Sequence, residues 1–380
     1  MKIYQLSNEI DKKGYLEKLE VDKGGVGILS SKMSLHLLYI KDLSVVAMNI
    51  LKQDALSIGA EVASPTYAIT HKKSRLDCIL IANTKQLKIL CKKELAQPFG
   101  LKELAVELKK FVPTKKFTPQ IMGIINASSD SFFEKSYYDE TSVVMAIENM
   151  LNLGATMIDV GAVSTKPYSA VVSEEEELSR LQSVVGSIAK LKLYERGQFS
   201  IDTTRASVAK FALDHGFHIV NDISALGDVN MPKVISEYQA SVILMHMQGT
   251  PQTMQDAPVY ANIITAVDDF FVQKIALAKE HNIQDIILDI GIGFGKTLEH
   301  NVELIKHLHH FAHFGCELLV GASRKSMIDT IYPTPTEDRL AGTLCIHQEA
   351  LCHGANIIRC HDVKEHISML KTLQALRENI

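Results

Sequence analysis

Between residues 120 and 361, apolar runs rich in Val, Ile and Leu keep finishing on side chains that can carry charge or hydrogen-bond. In order these are Asn126, Asp159 with Ser164, Asp202, Asn221 with Asp222, His246, Asp289, Ser323 with Lys325, and Arg359 with His361. A carboxylate or carboxamide inside an apolar run is costly unless it is partnered. One such residue could satisfy nearby backbone, but Asp202, Asn221 and Asp289 on separate strands are expected to meet in one pocket. A carboxylate facing two adjacent N–H donors makes a bidentate, charge-assisted contact. The ligand that suits these groups is flat and rich in ring N–H and NH₂ donors, such as a pterin or a purine. Later in the chain, Ser323-Arg324-Lys325-Ser326 and Arg359-Cys360-His361-Asp362 bring cations to strand ends, which suits a phosphate group.

The elements that must position these residues form a repeat. Eight β-rich apolar runs occur at 121–126, 157–163, 199–203, 218–223, 241–247, 286–292, 318–321 and 357–360. Helical segments lie between them, clearest at 143–154, 174–193, 205–216, 261–282, 301–314 and 340–354. Buried strands alternating with helices specify parallel βαβ units. Eight units in about 260 residues match a (β/α)₈ TIM barrel, whose sites sit at the C-terminal ends of the strands. A doubly wound open sheet would concentrate its polar groups at one switch point instead. The helix-to-strand turns, such as Leu153-Gly154-Ala155 and His353-Gly354-Ala355, are bland by comparison. The run Gly291-Ile292-Gly293-Phe294-Gly295-Lys296-Thr297 is neither a P-loop, since Ile290 stands at its first glycine position, nor a dinucleotide fingerprint, since Gly295 comes one residue early. Its glycines are expected to let the loop pass close to a flat ligand, with Phe294 as a stacking face.

Charge divides the chain. Residues 1–118 hold 20 basic against 12 acidic side chains, and residues 119–380 hold 20 against 32. This predicts a smaller N-terminal α+β domain over 1–112, a linker over 113–119 and the barrel over 120–380. The N-terminal domain shows strand-like runs at 44–48, 78–82 and 87–91 but no motif that assigns it a role. Its scattered lysines and the acidic barrel argue against nucleic acid as a partner. No apolar run reaches the roughly 18–20 residues of a membrane span, and the charged N-terminus lacks a signal-peptide core. Six cysteines without CxxC or zinc spacing fit reduced thiols in a cytoplasmic enzyme. His307, His309, His310 and His313 share one amphipathic segment, but without a carboxylate shell they are not expected to form a metal site. Glu174–Glu177 reads as a solvated first helical turn, and Met245 and Met247 as barrel interior.

The motifs MGIINASSDSF (122–132), IDVGAVSTKP (158–167), SIDTTRASVAKFALDHGFHIVNDIS (200–224), VILMHMQGTPQTMQ (242–255), IILDIGIGFGKTLEHN (286–301), LLVGASRKSMI (318–328) and ANIIRCHDVKE (355–365) occur in this order. Together they resemble the dihydropteroate synthases over about 119–377. That family joins 6-hydroxymethyl-7,8-dihydropterin diphosphate to p-aminobenzoate, releasing pyrophosphate, in folate biosynthesis. The resemblance implies that Asp202, Asn221, Asp289 and Lys325 hold the pterin, with Met245, Gly321 and Arg359 lining its slot. It implies that Asn126, Arg359 and His361 cradle the diphosphate, Asn126 reaching Mg²⁺. Thr165, Phe294 and Ser323 would border p-aminobenzoate, the sulfonamide-sensitive pocket. It further implies a homodimer.

Two substrate loops depart from the family pattern. Ala127-Ser128-Ser129 replaces Val-Thr-Pro, and Glu134, two residues after Phe132, stands where the family has Asp. Lys166 replaces an arginine, and Ile290 replaces a proline. Lys166 keeps a charge but loses the bidentate fork. The implied chemistry needs no protein nucleophile, only positioning and charge stabilisation. A methyltetrahydrofolate-dependent methyltransferase would share a pterin-binding barrel but bind no diphosphate, so the SRKS segment with Arg359 and His361 favours the synthase. A non-catalytic pterin-binding protein would bind without turnover.

Overall fold

A computed structural model describes residues 3–4, 6–7, 10–68, 72–112, 117–127, 140–163 and 172–377. The chain divides into two compact units, Met1–Lys116 with Leu373–Ile380, and Phe117–Thr372.

The first unit is built on a three-stranded antiparallel sheet of β1 (Leu35–Ser44), β2 (Glu61–Ala63) and β3 (Arg75–Asn83), in the order β1-β3-β2. Alternation in β3 turns Leu76, Cys78, Leu80 and Ala82 inward. Helices Val45–Leu56, Thr84–Glu94 and Leu101–Lys110 supply Met48, Leu51, Leu87, Leu90 and Leu101 to the same core. Two expected strands are helical instead, and capping is the reason. Ser44 ends β1 and accepts a hydrogen bond from the Ala47 N–H, so 45–48 begins a helix. Asn83 and Gln86 form a reciprocal capping box, which starts a helix whose buried face is Leu87, Leu90 and Cys91.

The second unit is a closed barrel of eight strands: β4 (Gln120–Asn126), β5 (Met157–Gly161), β6 (Gln198–Asp202), β7 (Ile219–Asp222), β8 (Ser241–Met245), β9 (Ile286–Asp289), β10 (Glu317–Val320) and β11 (Ile357–Cys360). All neighbouring pairs are parallel, and β11 closes against β4. Helices intervene between successive strands, which gives the expected (β/α)₈ architecture. Met122, Met157, Ile219, Ile243, Ile287, Leu319 and Ile357 fill the barrel interior. That apolar plug is the floor on which the polar strand ends stand.

Candidate active site

Arg359, on β11, organises the mouth of the barrel. Its Nε donates to Asp159 Oδ2 at 2.6 Å and its Nη2 to Asp202 Oδ2 at 2.8 Å, tying β11 to β5 and β6. Burial opposes the guanidinium charge, but the two carboxylates outweigh it and hold Arg359 firmly protonated. Asn221, beside Asp202 in register, donates from Nδ2 to Asp159 at 3.0 Å. Asp159 is fully buried, and its Oδ1 has no hydrogen-bond partner among the described residues. Burial also raises the pKa of Asp202, where Arg359 pulls down and the Asp159 carboxylate pushes further up.

Asp289 ends β9 next to Met245 of β8 and accepts the Gly291 N–H at 2.8 Å. Burial pushes its carboxyl up, against the Gly291 hydrogen bond and the charges of Lys325 and Arg359. Lys325 Nζ lies 4.0 Å from the centre of the Phe294 ring, a cation–π contact. Burial pushes this amine down to about 8, with Asp289 opposing. Three acids (Asp159, Asp202, Asp289) therefore share two cations (Arg359, Lys325), which leaves the mouth able to accept further N–H donors. A cavity of about 440 Å³ opens on the same face, lined by Asp202, Thr203, Ile223, Met245 and Met247. It meets the acid cluster at Asp202 and Met245, while Asp289, Lys325 and Arg359 lie outside its walls. Met245 packs with Ile223, Met254 and Phe294, Met247 resting against them, so the two methionines stand at the site end of the barrel and not in its interior plug.

On the anion side, Ser323 Oγ is 2.9 Å from His361 Nδ1. Arg324, expected to help bind an anion, is already committed. It forks onto Asp362 at 3.1 and 2.7 Å and donates to the Thr336 and Glu337 carbonyls. A buried histidine pair joins these two loops. The Ala322 N–H donates to His347 Nε2 at 2.9 Å, so His347 carries its proton on Nδ1, 2.8 Å from His366 Nε2; His366 Nδ1 then donates to the Asp362 carbonyl at 2.6 Å. Burial holds both imidazoles neutral, His347 well below 6.5 and His366 below it. Gly321 sits against Arg359, and Asn126 ends β4 beside Gly161, half-buried. Thr165, Lys166, Phe132 and Glu134 lie outside the described residues.

Several sequence expectations change here. Gly291 and Gly295 serve backbone packing: at φ +65° and +61°, a Cβ would come within 2.0 Å of His246 O and 2.6 Å of Gln248 O. Lys296 clamps this loop by donating to the carbonyls of His246, Gly291 and Phe294 at 2.9–3.0 Å, and burial lowers its pKa to about 7. Glu177 is not a solvated turn residue. It is buried, accepts from Thr203 Oγ1 at 2.7 Å and pairs with Arg205, joining the segments after β5 and β6. Asp222 spends both oxygens on the Ser224 and Leu226 backbone. The histidine segment has a carboxylate after all, because Asp268 accepts from both His310 and His313. Sequence reasoning placed Asp159 at a strand end yet left it out of the site, and it missed His347 and His366. An ionisable residue inside a five-residue apolar strand was the available signal for Asp159.

A family model described as pterin binding enzyme matches residues 122–361. A bifunctional dihydropteroate synthase/dihydropteroate reductase from Helicobacter pylori is 43% identical over 367 residues, covering 96% of this chain and 97% of its own length. The dihydropteroate synthase of Escherichia coli is 40% identical over 263 residues, 68% of this chain and 91% of its own. The crystal structure of Yersinia pestis dihydropteroate synthase with a sulfonamide drug complex superposes with a TM-score of 0.65 at 38% identity, covering 68% of this chain and 94% of that one. By sequence, fold and the acid–cation cluster at its strand ends, the chain belongs to the dihydropteroate synthase family of pterin-binding enzymes.

Proposed function

We infer that this chain condenses 6-hydroxymethyl-7,8-dihydropterin diphosphate with p-aminobenzoate, giving 7,8-dihydropteroate and pyrophosphate. The observation that carries the reading is the convergence of Asp159, Asp202, Asn221 and Asp289 with Arg359 and Lys325 at one barrel mouth. In the reaction, the bond between the pterin methylene carbon and the diphosphate oxygen breaks, its electrons leaving with the diphosphate. The electron-rich pterin delocalises the positive charge left behind, the arylamine nitrogen attacks the methylene, and its proton is released. The protein's contribution is to orient the ring, exclude water and stabilise departing charge. Pyrophosphate release that requires both substrates is the test; folded protein giving none would sink the reading.

Within that reaction, Asp202, Asn221, Asp289 and Lys325 hold the pterin, in a slot bounded by Met245, Gly321 and Arg359. Asn126, Arg359 and His361 face the diphosphate, and Phe294, Ser323 and Thr165 border p-aminobenzoate, with Phe132, Glu134 and Lys166 on the substrate loops. Magnesium fits Asn126, whose carboxamide offers a hard oxygen and has no side-chain hydrogen bond among the described residues; diphosphate oxygens would complete the shell. Bound there, the ion would neutralise charge on the leaving diphosphate, so chelation should abolish turnover and added Mg²⁺ restore it. The family supports a homodimer, to be read by light scattering. Six cysteines, none in a disulfide, support a reducing, cytoplasmic setting, and no helix among the described residues is long and apolar enough to cross a membrane.

A second activity is supported by the H. pylori relative, whose similarity extends through the N-terminal unit that the family model leaves unmatched. Reduction of 7,8-dihydropteroate adds a hydride and a proton, so it needs a reduced nicotinamide or flavin as donor. Product incubated with enzyme and each donor should be consumed; product that persists unchanged would leave the synthase alone.

A further inference from the structure

Outside the strand-end cluster, the helical shell of the barrel gathers another set of ligand-type side chains. Asp268 lies on the helix Ile263–Glu280, and His310 and His313 lie on the 3₁₀ segment Leu308–Phe314. A 3₁₀ helix has three residues per turn, so positions i and i+3 stack directly above one another. That local geometry aims both imidazoles at the same point. His310 Nε2 is 2.9 Å and His313 Nε2 2.6 Å from one oxygen, Asp268 Oδ1, and the three ligand atoms lie within 4.8 Å of one another.

We propose that Asp268, His310 and His313 form a binding site for one borderline divalent transition metal, of the zinc class. Two imidazole nitrogens and a carboxylate oxygen are the donor set that such ions prefer, and the nitrogens disfavour Mg²⁺ and Ca²⁺, which take all-oxygen shells. Each histidine would ligate through Nε2 as its Nδ1–H tautomer, the metal replacing the two hydrogen bonds now made to Asp268. The surroundings favour a fixed site. Phe314 lies 3.9 Å from the His313 ring, Phe311 lies 5.1 Å from His310, and Phe271 packs against both phenylalanines. The His313 side chain is 6% exposed, whereas Asp268 and His310 are 24% and 28% exposed, so one side opens to solvent for entry and for a water as fourth ligand. The metal would join the helix before β9 to the segment before β10, bracing the sector that carries Asp289 and the Gly291–Lys296 loop.

The test uses the full, tag-free chain stripped with chelator and titrated with Zn²⁺ in excess Mg²⁺, with Co²⁺ absorption in the visible as a second readout. One equivalent should bind, raise the thermal midpoint and give the intense band of a four-coordinate Co²⁺ site. His310→Gln and Asp268→Asn should each weaken binding by about tenfold or more, while His307→Gln on the same segment should not. His310 is partly exposed, so its variant keeps the test valid if changes at the buried His313 impair folding. Zinc affinity unchanged in His310→Gln, or zinc that Mg²⁺ displaces, would overturn the site.

Discussion

The mouth of the barrel and the three-stranded unit each bury a carboxylate completely, and they treat it in opposite ways. Asp159 is gripped by Arg359 and Asn221, with one oxygen left over. Glu94, at the end of the helix Thr84–Glu94, is equally buried, yet neither oxygen has a hydrogen-bond partner among the described residues. Its nearest charged company includes Asp54, which already holds Lys93 at 2.7 Å and Gln97 at 2.9 Å. Burial, with the charge of Asp54, pushes Glu94 up to about 7. A buried acid gripped by a cation has its charge compensated and can take part in recognising a ligand. One without a cation paired to it is pushed toward its neutral form. The contrast separates an acid held by a cation at the barrel mouth from an acid that burdens stability.

Removing the shared cation should have the largest effect. Arg359→Ala leaves Asp159 and Asp202 uncompensated at once, which costs about 3–5 kcal/mol of stability in urea and abolishes pyrophosphate release. A variant as stable as the wild type would mean that the two acids are compensated by something else. Asp289→Ala is milder for the fold, because its main partners are the Gly291 N–H and Lys325. It should weaken pterin binding by about 2–4 kcal/mol, a charged bidentate contact, measured by calorimetry. Near-normal affinity would remove Asp289 from the pocket.

The histidine relay sharpens the comparison from a third side, since His347 and His366 are buried without charge. Their lowered pKa values have one sign: the folded form resists protonation while the unfolded chain accepts it near 6.5. The stability linked to them is present above 6.5 and is lost as the pH falls below it toward the lowered folded values. His347→Leu should flatten that acid limb in urea titrations and lower kcat by about tenfold through the loops carrying Ser323 and His361. An unchanged pH profile would dissociate the relay from both effects.

The barrel was legible because its strands are continuous apolar runs ending in polar residues, a pattern that needs no knowledge of partners. Asp202, Asn221 and Asp289 could be read for the same reason. The roles of Asp159, Glu177 and Lys296 were not legible, because each depends on a contact 26 to 200 positions away or on loop carbonyls converging on one amine. In the N-terminal unit, apolar runs at 44–48 and 87–91 suited strand or helix equally, and the caps Ser44 and Asn83 decided between them. The 3₁₀ geometry that turns His310 and His313 toward Asp268 likewise has no mark in the spacing alone.

Glu94→Gln should give the smallest effect and the only gain. The folded pKa of Glu94 is raised, so its contribution is fully present below the ordinary 4.5 and is lost as the pH rises through about 7. Near pH 8 the wild type must either ionise a buried carboxyl or hold a proton against solvent, and a neutral carboxamide of the same shape escapes that cost while offering Asp54 an N–H donor. The thermal midpoint of the N-terminal unit should therefore rise by a few degrees near pH 8, on the order of 1 kcal/mol, and the gain should shrink toward pH 5, where the acid is already protonated. Turnover by the barrel should not change. A gain that persists undiminished in acid would show that packing, and not a proton, sets the behaviour of Glu94, and the contrast with Asp159 would then be one of shape alone.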